Sequence, residues 1–229
     1  MNPNSDPLSV GNGTALPARA LATHKLIRNT YTLLSMTLLF SAMMAAVSVF
    51  LSMPPMTNLV TFGGALVLMW FVLPRTQDSA MGLVTVFAIT GLLGFGLGPM
   101  LTMYLSLANG PQIVATAFGG TGVIFLGLSG YALMSRKDFS FMRGFLFTGL
   151  IVVIIAMVAN IFMQIPALSL AISSAVIMIM SALILFDTSR IIHGGETNYI
   201  RATVSLYLNI YNIFIHLLHL LAALSGNRN

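Results

Sequence analysis

Apolar runs dominate this sequence, and each is about as long as a bilayer is thick. The runs cover residues 30–52, 57–73, 80–104, 113–134, 142–163, 168–192 and 202–224. At a rise of ~1.5 Å per residue, a helix of that length crosses a hydrocarbon core of ~30 Å. Stretches such as LIVVIIAMVANIFM (residues 150–163) are apolar on every face, whereas strands of a membrane barrel would alternate. A helix also satisfies its own backbone in lipid. The pattern therefore predicts an all-α integral membrane protein with seven transmembrane helices.

The breaks between runs are short and turn-like: SMPPMT, PRTQDS, LANGPQ, SRKDFS, QIP and HGGETN. Proline and glycine punctuate most of them. Loops this small leave no room for a catalytic module outside the membrane. Residues 1–22 are rich in Pro, Gly, Asn and Ser without apolar periodicity, which predicts a disordered tail. Residues 23–229 are then the transmembrane domain. The tail has no apolar core of signal-peptide length, so the first span is expected to act as a signal anchor.

Composition agrees with this division. Hydrophobic residues make up 57% of the chain and charged residues 7%, against about 25% charged in soluble domains. A net charge of +5 with a pI near 10.0 would ordinarily suggest nucleic acid. The basic residues are too few and scattered for that, and their placement is topological. Arg19, Lys25, Arg28, Arg75, Arg136, Lys137, Arg143, Arg190 and Arg201 fall in or beside the tail and the even-numbered loops. Only Arg228 falls on the other side. The positive-inside rule then predicts a cytoplasmic N-terminus and a C-terminus on the opposite face. Cysteine is absent, which excludes disulfides, thiolate metal sites and cysteine nucleophiles.

Polar residues inside the spans are few enough to weigh singly. Asp187 lies in the sixth span, roughly 5–8 Å from its cytoplasmic end. It could sense a proton or cation, or simply pair with Arg190 three residues on. Asn209 lies roughly 10 Å from the same end of the seventh span, within prospective reach of Asp187. Asn212 shares a helix face with it, and Tyr207 and Tyr211 are close by. Interhelical hydrogen bonding is the plainer role for the two asparagines.

His216 and His219 share a face at i, i+3 but have no acid at matching depth to complete a metal site. Gly127-Leu128-Ser129-Gly130 resembles the GxSG string of rhomboid proteases. Its serine needs a histidine within hydrogen-bond reach, and the depths of Ser129 and His216 differ by about 10 Å. The only lysines, Lys25 and Lys137, stand at helix ends, so a retinal Schiff base is not supported. In the third span Gly91, Gly94, Gly96 and Gly98 precede Pro99. They predict either close packing through Gly94-x-x-x-Gly98 or a bent helix lining a cavity. The glycine-rich third and fourth spans leave the oligomeric state open.

The segment FDTSRIIHGGETNYIRATVSLYLNIYNIF (residues 186–214) resembles the signature of the transmembrane Bax inhibitor motif family. THKLIRNTY (23–31), SRKDFSFMRG (135–144) and MVANIFMQIPALSLAIS (157–173) are similar to its bacterial YccA-like branch. The resemblance covers the chain beyond the tail. It implies six helices around a central seventh, a bacterial inner-membrane location, and no enzymatic activity, cofactor, resident metal or nucleic-acid partner. It also implies a regulator that binds and negatively modulates the membrane-anchored ATP-dependent protease FtsH, with the tail as the segment the protease engages.

Other members of the family behave as pH-sensitive calcium leak channels, in which two acids of the last two helices share a proton. Asp187 matches the first. The second belongs to a Leu-Tyr-Leu-Asp pattern, and this chain reads Leu206-Tyr207-Leu208-Asn209. A cation leak with Asp187 at its cytoplasmic mouth is therefore the alternative, with weakened pH gating. The residues expected to form the polar cluster are Asp187, Arg190, Asn209 and Asn212.

Overall fold

A computed structural model describes residues 15–226, with no strand among them. Seven helices are long and apolar enough to cross a membrane. They are α1 (Ala15–Phe50), α2 (Met56–Thr76), α3 (Ala80–Leu105), α4 (Gly110–Ser135), α5 (Arg143–Met163), α6 (Pro166–His193) and α7 (Tyr199–Gly226). Six of the seven expected spans match these bounds within a few residues.

The N-terminal end differs. Helix α1 is described from Ala15, and residues 15–22, expected in the tail, are helical. The segment ALPARALATHK is rich in alanine and leucine, strong helix formers that extend an existing helix at little cost. Residues 1–14 of the expected tail lie outside the described residues.

Helix α2 also runs further than its sequence suggested. Pro74 has no N–H and its ring would strike the carbonyl one turn back. The helix widens into a π turn over Leu68–Val72, where the Leu73 N–H bonds the Leu68 carbonyl. Beyond it, the Arg75 guanidinium donates to the Phe71 carbonyl and Thr76 Oγ1 to the Val72 carbonyl. Pro74 is thus absorbed without ending the span.

Helix α7 is the axis. It packs against α1, α3, α4 and α6, while α2 leans on α3 and α5 on α6. Its half nearer Tyr199 is the core of the bundle, with Ile200, Leu206 and Tyr207 essentially inaccessible. Large apolar side chains such as Trp70, Phe118, Phe145 and Phe162 point outwards. That inverted surface is what lipid requires.

The closest packing joins α1 to α3 through the glycines of the third span. A methyl group on Gly94 would stand 2.3 Å from the Ser41 carbonyl oxygen, and one on Gly98 2.0 Å from Ser48 Oγ. Gly96 faces the other way, where a methyl would meet Thr61 Oγ1 of α2 at 2.3 Å. Asn58 Nδ2 donates to the Gly96 carbonyl at 2.9 Å. Helix α3 remains unbroken through Pro99, so these glycines serve close packing within one chain.

Gly94→Leu should drive α1 from α3 and cost about 1–3 kcal/mol by overpacking. Gly119→Leu, where a Cβ would meet open space, should be near neutral. Thermal unfolding midpoints of detergent-solubilised variants measure the difference, and equal midpoints would contradict the packing described.

Candidate functional site

The residues that order the polar end of α7 lie in the turn before it. Helix α6 ends on Gly194, whose φ of 79° is the left-handed conformation glycine adopts freely. The Glu196 N–H then bonds back to the Arg190 carbonyl at 3.1 Å. Asn198 caps α7, its Oδ1 accepting from the N–H groups of Ile200 (2.8 Å) and Arg201 (3.2 Å). Its amide nitrogen donates to the Gln77 carbonyl (3.0 Å) and to Asp78 Oδ1 (2.8 Å), tying this turn to the α2–α3 loop.

Asp187, on α6, is buried against α7. Its Oδ2 accepts from Ser205 Oγ at 2.5 Å and from Asn209 Nδ2 at 2.9 Å. The Arg190 guanidinium stands 4.0 Å from Asp187 Oδ1 and 3.7 Å from Glu196 Oε2. It also donates to the Gly195 carbonyl at 3.0 Å. Glu196 Oε1 accepts from Arg201 at 2.8 Å and from the backbone N–H groups of Thr197 and Asn198 at 2.9 Å each. The result is a continuous chain: Asn209 and Ser205, Asp187, Arg190, Glu196, Arg201. With Arg190 39% exposed and Asp187 9% exposed at the side chain, it runs from surface to interior.

Three of the four expected residues thus meet. Asn212 does not. Its Nδ2 donates to the Leu208 carbonyl of its own helix at 2.8 Å. One turn beyond Asn209, it lies past the reach of Asp187, and the nearest acceptor is the carbonyl beneath it. Ser205, Glu196 and Arg201 belong to the cluster and were not singled out from sequence. Ser205 was recoverable, since it precedes Asn209 by four residues and shares its face. Glu196 lies in the HGGETN loop, and the fold of that turn buries it.

The other polar residues weighed from sequence are separated. The Ser129 hydroxyl pairs with Tyr31 of α1, whose OH also lies 3.4 Å from Thr188 Oγ1. His216 and His219 both turn Nδ1 to Ser173 of α6, at 3.1 and 2.9 Å. Ser129 and the histidines therefore have different partners at different depths. No group of three or more His, Cys, Asp or Glu fit for a metal occurs among the described residues. Tyr207 donates to the Thr90 carbonyl at 3.3 Å and lies 2.6 Å from Ser41 Oγ, joining α7 to α3 and α1.

Between α4 and α5, Asp138 Oδ1 accepts the Ser140 N–H at 2.8 Å, and that bond holds its carboxyl below the usual carboxylate range. A depressed folded value means the contribution is present above the unfolded pKa and lost as pH falls through the lower folded one. Full exposure keeps it small.

An α-helical bundle turned apolar-side out, with a polar chain at one end of its axial helix, defines a multi-pass membrane protein. The family described as "Inhibitor of apoptosis-promoting Bax1" matches residues 23–227, and the chain belongs to that family. Over 201 residues it is 53% identical to the modulator of FtsH protease YccA of Escherichia coli, covering 88% of this chain and 91% of that protein. It is 50% identical over 209 residues to an uncharacterized membrane protein of Vibrio cholerae, covering 91% and 94%. An uncharacterized protein of Pseudomonas aeruginosa is 46% identical over 201 residues, covering 88% and 90%.

Asn209→Leu should destabilise the protein by about 1–3 kcal/mol, because it removes a donor from a buried carboxylate. Asn212→Ala should change stability by less than about 0.5 kcal/mol. Glu196→Ala, which strands two backbone N–H groups and Arg201, should cost at least as much as Asn209→Leu. Thermal unfolding in micelles ranks the three, and a larger loss for Asn212→Ala than for Asn209→Leu would refute the assignment.

Proposed function

We propose that this protein is a non-enzymatic regulator in the bacterial inner membrane that binds an FtsH-type ATP-dependent protease and slows its degradation of membrane substrates. The observation that carries this is the 53% identity, along nearly the whole chain, to a relative named as a modulator of that protease. The architecture supports it in two ways. The loops are short and tied down, as the Asn198 bonds to Gln77 and Asp78 illustrate. The chain therefore offers a compact bundle for a partner to bind. The nine basic residues at one end of that bundle support, by the positive-inside rule, a cytoplasmic N-terminus that the protease's ATP-driven part would meet and a periplasmic C-terminus.

A cation leak is the weaker reading. Asp187 Oδ2 is taken up by two neutral donors, Ser205 and Asn209, while Oδ1 faces the Arg190 guanidinium at 4.0 Å. On α7 an amide, Asn209, stands where a second carboxylate would couple directly to it, and Glu196, the other acid of the polar chain, is separated from it by Arg190.

The protein should co-purify with FtsH from detergent-solubilised membranes and lengthen the lifetime of a membrane substrate. Deleting residues 2–14, which leaves the described part of α1 in place, should weaken that protection. Undiminished protection would remove the N-terminal segment from the mechanism. Because the chain has no native cysteine, single cysteines in the loop at 136–139 report orientation directly, and labelling from the periplasmic face would overturn the topology. In protein-only liposomes calcium efflux should be slow and indifferent to Asp187→Asn. A steep pH-dependent flux abolished by that substitution would favour the channel.

A further inference from the structure

Helices α1 and α4 flank α7 and touch through side chains at one end only, where Tyr31 meets Phe125 and Ser129. Among the described residues no Cα of one lies within 8 Å of a Cα of the other. The space between them is a cavity of about 640 Å³ whose floor is the face of α7 bearing Tyr207 and Phe214. Its walls carry small side chains, Ala42 and Ala46 on α1 and Gly122 on α4. Leu39, Phe50 and Phe118, all strongly exposed, stand at its rim. No charged residue lines it. Towards the end that holds the basic residues it is shut by the Tyr31–Ser129 hydrogen bond and by Tyr31 against Phe125, ring centres 6.1 Å apart.

These features select an occupant. Water needs about two to four polar partners to stay in a buried site. The hydroxyls here are few, and Ser41 and Tyr207 already bond one another and α3. A transmembrane helix has a diameter of about 10–12 Å and needs a groove along the whole bilayer. The lining residues on α4 run only from Val114 to Phe125, roughly 17 Å, a little over half of a ~30 Å core. A slot that opens sideways, is lined almost wholly by apolar side chains and ends blind near mid-membrane has the dimensions of one hydrocarbon chain from one leaflet.

We propose that this cavity is a binding site for an acyl chain of a phospholipid, entering between α1 and α4 from the leaflet remote from the basic residues. The chain lies along α7 and ends against the Ser41–Tyr207 pair. The headgroup stays in the interface and contributes little, so the site is selective for chain length and not for charge.

Brominated acyl chains quench tryptophan on contact and so test the occupant. The native Trp70 is the only tryptophan; it is 69% exposed on α2 and serves as the lipid-facing reference. In a Trp70→Phe background, Phe214→Trp puts a reporter on the cavity floor, and Ala42→Trp is an independent reporter on its wall. In vesicles of phosphatidylcholine brominated along its chains, both reporters should be quenched as strongly as Trp70. Adding Gly122→Phe, at a position where a Cβ meets open space, should fill the slot and abolish quenching at 214 while leaving the unfolding midpoint unchanged. An unquenched, red-shifted reporter accessible to iodide would mean water. An unquenched reporter in a crosslinkable dimer would mean a second copy of the chain. Unquenched reporters in a dry monomer would mean that α1 closes onto α4. Each of these three overturns the proposal.

Discussion

A bilayer interior offers polar atoms no solvent, so each must find its partner within the protein, and α7 supplies most of the partners here. Tyr207 reaches carbonyl and hydroxyl groups of α3 and α1. Thr203 donates to the Thr30 carbonyl of α1 at 3.2 Å. Ser205 and Asn209 reach Asp187 of α6, and the two histidines reach Ser173 on the same helix. These bonds fix the rotation of α1, α3 and α6 about α7. Apolar packing alone discriminates poorly among rotations when lipid is as apolar as the side chains.

Close approach of backbones does the rest. The α1–α3 contact depends on the absence of side chains at Gly94 and Gly98, and α2 is admitted by the absence of one at Gly96. Three glycines on two faces of one helix thus position two neighbours. Where such residues face no partner, as Gly122 does on α4, a slot remains instead of a joint. The same small residues therefore make either a seam or an opening, according to whether a neighbouring helix arrives.

Much of this was legible in the sequence, for a reason specific to membranes. Span number follows from length and hydropathy, which the bilayer imposes on each helix separately. The start of α1 was misplaced because the first turns of a helix that projects from the bilayer need not be apolar, so hydropathy is blind to them. The extent of α2 was underestimated because Pro74 normally ends a helix, and nothing in the sequence announces a π turn. Asp187 and Asn209 were found by depth and Arg190 by its spacing from Asp187, both one-dimensional quantities. Asn212 was misassigned and Glu196 overlooked because their partners depend on rotation about the helix axis and on the path of a turn. Depth carries neither.

The seam between α1 and α3 has a mechanical consequence. The two helices lie side by side, with Ser41 and Ser48 seated over Gly94 and Gly98 almost two turns apart. An axial load on α1 is shared by these seats and by the Ser41–Tyr207 bond simultaneously, so the helix must shear past its neighbours in one step. Helix α5, resting on α6 alone among the other spanning helices, has no such arrangement and would peel away one contact at a time. The bundle thus grips the helix that leads into it more firmly than it grips α5.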